Sequence, residues 1–262
     1  MRLKKTLKTS FVSLVVVQPF LSSSVEAMEP YETGGGVGFQ RGTGLIQPLH
    51  PGPGDLARQP MSPLPEEIQK PNRTSSQGTG SSLSIDYVSE FVFKMYREDG
   101  EKVFYYAQPQ YLRDEHGQST ITPNFIQVTD QRGTAEGWTL KLQKTIRFYD
   151  GNKQALQATD ILLYNPVVVG YQPANQPRAP SLLGQGEDSV VIAQAEQGSG
   201  TGTTTIRWGN HLVEMDLYSK KGEVNTALLN RDVQLLVPIR TNRQNHTYQA
   251  TLTWILSEIP GN

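Results

Sequence analysis

Two tripeptides of one form, Trp138-Thr139-Leu140 and Trp254-Ile255-Leu256, stand far apart in a cysteine-free chain of 262 residues. An indole offers a large flat face that is either buried in a core or, when exposed, stacked on a sugar ring or another planar surface. Little else in the chain has the spacing that chemistry requires. A hydrolase needs positioned carboxylates or a nucleophile with its base. Acidic residues are plentiful here, and nothing in the sequence singles out a pair. The four histidines, His50, His116, His211 and His246, are scattered without metal-site spacing, and no run of alternating acidic ligands marks a calcium loop. Gly198-Ser199-Gly200-Thr201-Gly202 lacks the lysine and following helix of a phosphate cradle, so it reads as a flexible hairpin tip. No catalytic residue, metal site or cofactor is expected.

The elements that must carry the tripeptides are strands. Trp138, Leu140, Leu142, Ile146 and Phe148 alternate with polar Thr139, Lys141, Gln143, Thr145 and Arg147, which predicts one long half-buried strand or a hairpin arm with a bulge. Tyr248, Ala250, Leu252, Trp254 and Leu256 share one face of a second strand, because side chains alternate with period two. Leu83, Ile85 and Tyr87 share a face of another. Further strands are expected at 101–106, 125–129, 161–164, 167–169, 189–195, 203–208, 213–217 and 233–239, with one short helix at 224–230. Short strands at this spacing predict an all-β fold: a single antiparallel β-sandwich or barrel-like domain over residues 81–262. Its long loops, 172–188 and 194–202, exceed ordinary hairpin connections.

Upstream the composition changes. Arg2, Lys4, Lys5 and Lys8, an apolar stretch from Phe11 to Phe20, and Val25-Glu26-Ala27 form the three parts of a secretory signal peptide over residues 1–27. That apolar stretch is too short for a membrane span, so no direct membrane insertion is expected. Ten glycines and eight prolines fall in residues 28–80, which predicts a disordered, extended Pro/Gly-rich spacer. Without residues 1–27 the chain holds 20 Lys and Arg against 24 Asp and Glu, a net charge near −4 that does not attract nucleic acid. Absent cysteine excludes disulfides and lipid attachment through an N-terminal cysteine. The C-terminus, Ser257-Glu258-Ile259-Pro260-Gly261-Asn262, shows no LPxTG motif and no hydrophobic tail. A protein so exported and kept at a cell surface is expected to be held there non-covalently.

At this point the residues resemble a known family. Ser84-Ile85-Asp86-Tyr87-Val88-Ser89 and Tyr105-Tyr106-Ala107 are similar to the opening of a WxL domain. The run from Pro123 to Gly133, with Gly137-Trp138-Thr139-Leu140, resembles its first signature. The run from Tyr248 to Leu256, then Pro260, resembles its second. The spacer departs from the family in lacking Asp/Thr-Pro repeats. The resemblance implies a secreted surface protein of low-GC Gram-positive bacteria, localised at the cell wall and binding peptidoglycan non-covalently. It implies as possible partners other WxL proteins and membrane-anchored WxL-interacting proteins. It marks Trp138, Leu140, Trp254 and Leu256 as the motif residues.

Two readings of those tryptophans stand side by side. The apolar stripe that includes Leu142 and Leu252 favours a core, where burying each ring removes about 150–250 Å² from water. At about 25 cal/mol per Å² that is several kcal/mol as an upper bound, comparable to a domain's whole stability. The other reading is an exposed aromatic platform. Both hold if one ring lies at a rim. Trp208, outside either signature, is expected in the core or at an edge.

Overall fold

The computed structural model describes residues 46–64, 79–99, 102–143, 147–156, 159–170, 176–179, 189–218, 224–238 and 247–258. The chain divides into two units, Met1–Gly38 and Phe39–Asn262, and every described residue belongs to the second. The expected signal peptide, most of the 172–188 loop and Ile146 lie outside the described residues.

Among the described residues seventeen strands form, and every pairing between them is antiparallel. In chain order they are β1 (Met61–Pro63), β2 (Leu83–Val88), β3 (Phe93–Asp99), β4 (Lys102–Ala107), β5 (Gln110–Asp114), β6 (Ser119–Thr122), β7 (Phe125–Asp130), β8 (Trp138–Gln143) and β9 (Phe148–Tyr149). Then come β10 (Ala155–Leu156), β11 (Asp160–Leu163), β12 (Pro166–Gly170), β13 (Ser189–Ala195), β14 (Gly202–Trp208), β15 (Val213–Tyr218), β16 (Val224–Pro238) and β17 (Trp254–Ser257). The described residues contain no α-helix, and the all-β, sandwich-like expectation holds.

Four sheets enclose the main core. One has the order β12-β14-β7-β2, a second β13-β8-β17, a third β11-β16-β4-β3 with β15 also on β16, and the fourth is the β9-β10 pair. Between them pack Ile126, Val128, Trp138, Leu140, Leu142, Ile192, Ile206, Trp208, Val233 and their neighbours. A fifth sheet, β1-β5-β6, lies on the opposite side of β2 and β7. There Met61 and Leu112 meet Tyr87 and Phe125 in a second cluster. This explains why all six residues of β7 are buried: it is covered on both faces.

Three expectations change in detail. Tyr87 does not share a face with Leu83 and Ile85, because a bulge between Ile85 and Tyr87 shifts the alternation by one residue. Leu83 therefore enters the main core and Tyr87 the second cluster. Residues 224–230 are strand rather than helix: Val224 to Leu229 pair with Tyr218 to Val213, and tertiary pairing overrides the helix preference of Ala227-Leu228-Leu229. The long strand expected from Trp138 to Phe148 is divided, since β8 and β9 lie in different sheets.

The described part of the expected spacer is also not extended. Residues 48–61 fold back on themselves, with His50 N–H donating to Gln59 O (2.9 Å) and Met61 N–H to Pro48 O (2.7 Å). A short 3-10 turn, Gly54–Arg58, forms the tip. This strap then contributes β1 as a third strand beside β5 and β6, with Met61 only 2% exposed. Proline-rich composition lowers the local preference for regular structure, but pairing with β5 and the burial of Met61 dock the segment.

Candidate functional site

The two tripeptides meet in one sheet. β8 is its central strand, with β13 on one side and β17 on the other. In register, Trp254 lies opposite Leu142, Ile255 opposite Lys141 and Leu256 opposite Leu140. Trp138 lies opposite Ala195 on the other side of the strand. Trp138, Leu140 and Leu142 belong to the core, and Leu256, Trp254, Leu252, Ala250 and Tyr248 pack against it half-buried. The second motif strand is regular only over its last four residues. Upstream it touches the body by a bridge from Gln249 to Tyr149 and by Gln143 N–H donating to Thr253 O (2.9 Å).

Trp138 is completely buried. Its Nε1–H donates to Gly200 O at 3.0 Å, which satisfies the one polar atom of the ring. The glycine-rich segment after β13 is thus not a free hairpin tip: it joins β13 to β14 in a different sheet and closes over the indole. Gly200 is required there. Its φ is +74°, and a Cβ would stand 2.4 Å from Ala195 Cβ and 2.6 Å from Trp138 Nε1. Gly137 is equally constrained, since a Cβ would come within 2.3 Å of Ala195 O.

The approach to Trp138 is held by a buried charge pair. Arg132 Nε and Nη2 donate to the two carboxylate oxygens of Asp130 at 2.9 and 2.8 Å. Nη2 also donates to Gly137 O at 2.7 Å. Asp130 and Arg132 are 1% and 5% exposed, so this bidentate clamp works away from water. The signal available in the sequence was an acid and a base two residues apart in the connection leading into the tryptophan.

Trp254 occupies a rim. Its ring centroid is 6.0 Å from that of Trp208, which is 2% exposed and in turn meets Phe91 edge-on at 5.6 Å. Trp208 is therefore core, as one of its two expected places. The central residues differ between the motifs: Thr139 is fully buried, whereas Ile255 is 43% exposed.

A polar floor lies on the β2–β7–β14 sheet beneath the strap. Asp86 accepts from Ser84 Oγ (2.6 Å), Thr129 Oγ1 (2.5 Å) and Gln127 Nε2 (3.0 Å). Gln127, completely buried, also accepts from Leu49 N–H (2.7 Å) and donates to Gln47 O (3.2 Å), so its amide grips the strap backbone. Burial raises the Asp86 carboxyl above its ordinary pKa, and the three donors only partly offset this. On the strap, His50 Nδ1 accepts from Gly52 N–H at 2.9 Å. Burial, and then the nearby Arg207 guanidinium, hold the His50 pKa below its ordinary value.

These arrangements build a packed frame around the two tripeptides. Among the described residues no group of three His, Cys, Asp or Glu is placed to hold a metal ion. No helix among them is long and apolar enough to cross a membrane. Of the expected motif residues, the structure brings Leu140 and Leu256 face to face, sinks Trp138 and leaves Trp254 half-buried. Among the described residues the exposed large apolar side chains are Leu56, Tyr111, Ile121, Tyr149, Val224 and Ile255.

A family model described as "WxL domain surface cell wall-binding" matches residues 26–260. No curated protein and no solved structure matches the chain.

Proposed function

This chain belongs to the WxL family of surface cell wall-binding domains, and on that premise we propose that it is a secreted, non-catalytic protein that binds peptidoglycan non-covalently. The family is one of wall-binding domains and not of enzymes, which places the chain's role at the cell wall surface. The observation that carries the finer reading is the pairing of both Trp-x-Leu strands in one sheet, over a core that they complete together. That frame holds an outer surface of extended strands, suited to a polymer lying across it.

The test is co-sedimentation of the full chain with purified peptidoglycan. Pelleting with the wall, without clearing a turbid wall suspension, supports binding without catalysis. Clearing of the suspension would point to an enzyme instead.

A second reading rests on β17. It ends its sheet and carries exposed Ile255 on its outer face, and strand edges are where another chain adds a strand. In that reading a membrane-anchored WxL-interacting protein, or another WxL protein, holds the domain at the wall. A chain that stays in the supernatant with peptidoglycan alone and pellets only with such a partner would establish it.

A further inference from the structure

The strap is a peptide seated in a groove that the rest of the chain builds. β1 adds to the side of β5 that β6 leaves open, pairing Met61, Ser62 and Pro63 with Asp114, Arg113 and Leu112. Met61 fills the pocket of Tyr87, Leu112 and Phe125. Gln127 accepts from Leu49 N–H and donates to Gln47 O, and Leu64 N–H donates to Tyr111 O at 3.0 Å. One apolar anchor plus hydrogen bonds to the backbone is how an added strand is recognised in peptide-binding domains.

None of these contacts depends on which copy of the chain supplies the strap. Each joins residues 47–64 to residues 87–127, and the connection between the strap and Thr79 is residues 65–78. Ile68 is the one large apolar residue in that connection. Fully extended, fourteen residues span roughly 45–50 Å. The sheets that the connection bridges share the second cluster face to face, a separation of about 10 Å. The tether therefore reaches well beyond its own groove. Exchange of an identical element between copies remakes every contact and is a low-cost route to dimers. The tether holds a strap near its own groove at an effective concentration of about the millimolar range. Docking within one chain thus prevails in dilute solution, and exchange competes where copies are crowded together.

We propose that this groove is an interface between copies of the chain: the strap of one copy docks on β5, the Met61 pocket and Gln127 of a second copy, and reciprocal exchange joins the two as a pair. The inference does not rest on what the domain binds. Attachment of many copies to one surface only raises the concentration at which exchange competes.

The chain has no cysteine, so introduced thiols report the docking directly. Ser62 and Arg113 are exposed and in direct register, and facing residues of an antiparallel pair have Cα atoms about 4.5–5.5 Å apart, within disulfide reach. The full chain carrying both Ser62→Cys and Arg113→Cys should close an internal disulfide on oxidation in dilute solution. Its failure to do so overturns the strap register and the exchange with it. The full chain with Ser62→Cys alone is then mixed with the full chain carrying Arg113→Cys alone, where a disulfide joining the two variants can form only between copies. Thr251→Cys, exposed upstream of β17, replaces Arg113→Cys to measure random collision. With each chain at roughly 0.1 mM, docking should raise the yield of mixed dimer about tenfold over the collision control. Adding Met61→Ala to the Ser62→Cys chain should remove that excess. Equal yields with Arg113→Cys and Thr251→Cys overturn the exchange, and an excess that survives Met61→Ala overturns the groove as its site.

Discussion

Leu140 and Leu256 face each other across adjacent antiparallel strands. The two Trp-x-Leu tripeptides thus meet leucine to leucine, with their tryptophans directed along the seam in opposite senses. One ring is sealed in the core and the other leans on Trp208 at the rim.

The two rings should respond differently to truncation. Trp138→Ala opens a large cavity and should cost about 3–5 kcal/mol of stability in urea denaturation. Trp138→Phe keeps most of the packing but leaves Gly200 O without its donor, and should cost about 1–3 kcal/mol. Trp254→Ala, at a half-buried site, should cost less than Trp138→Ala. Equal losses at both positions would contradict the core-and-rim arrangement.

Gly198 and Gly200 both have positive φ, +85° and +74°, but only Gly200 has neighbours in the way of a Cβ. Gly198→Ala should carry the left-handed backbone penalty alone, about 1–2 kcal/mol. Gly200→Ala should exceed it and alter Trp138 fluorescence. If the two substitutions cost the same, the glycine segment does not close over the indole.

Removing Arg132 strands a buried carboxylate. Arg132→Ala should destabilise by about 3–5 kcal/mol, and Asp130→Asn with Arg132→Ala should cost less than the two single losses added together. Additive losses in the double-mutant cycle would show that the two side chains act independently.

The strap is part of the folded body. Met61→Ala should cost about 2–5 kcal/mol, and a chain beginning at Ser81 should unfold at lower urea than one retaining residues 46–64. A truncated chain of unchanged stability would restore the simple spacer.

Asp86 has a raised pKa. Its contribution to stability is therefore fully present below the ordinary carboxyl pKa and lost as pH rises through the folded-state value. Asp86→Asn, neutral at every pH, should gain on wild type at neutral pH, and the gap should close on acidification. A gap independent of pH would remove Asp86 from the linkage.

His50 has the opposite sign. Its pKa is lowered, so the stability it contributes is present above the ordinary histidine pKa and lost as pH falls through the folded-state value. The protonated ring cannot accept from Gly52 and faces Arg207. Hydrogen exchange at the Leu49 amide, corrected for its intrinsic pH dependence, should speed up on acidification in wild type. His50→Gln should abolish that response, and identical profiles would exclude the histidine as its source.

Strict alternation made most strands readable from sequence. Residues 189–195 and 213–217 match β13 and β15 to within a residue, because glycine, proline and asparagine end them locally. The failures came where a partner decided. Residues 224–230 took their conformation from β15, and Tyr87 took its face from a bulge opposite β7. Residues 46–64 look like spacer by composition, and the partners that hold them, β5 beside β1, the pocket around Met61 and the grip of Gln127, come from distant parts of the chain.

By itself the sequence determined the all-β class, through the period-two patterning, and the family, through the two tripeptides and their flanks. It left open whether each tryptophan is frame or surface, because burial is a property of what packs against a ring. Only the tertiary structure decided that Trp138 lies under Gly200, that Trp254 lies against Trp208, and that the two tripeptides pair. Their register is set by contacts between strands distant in the chain, and no local pattern encodes it.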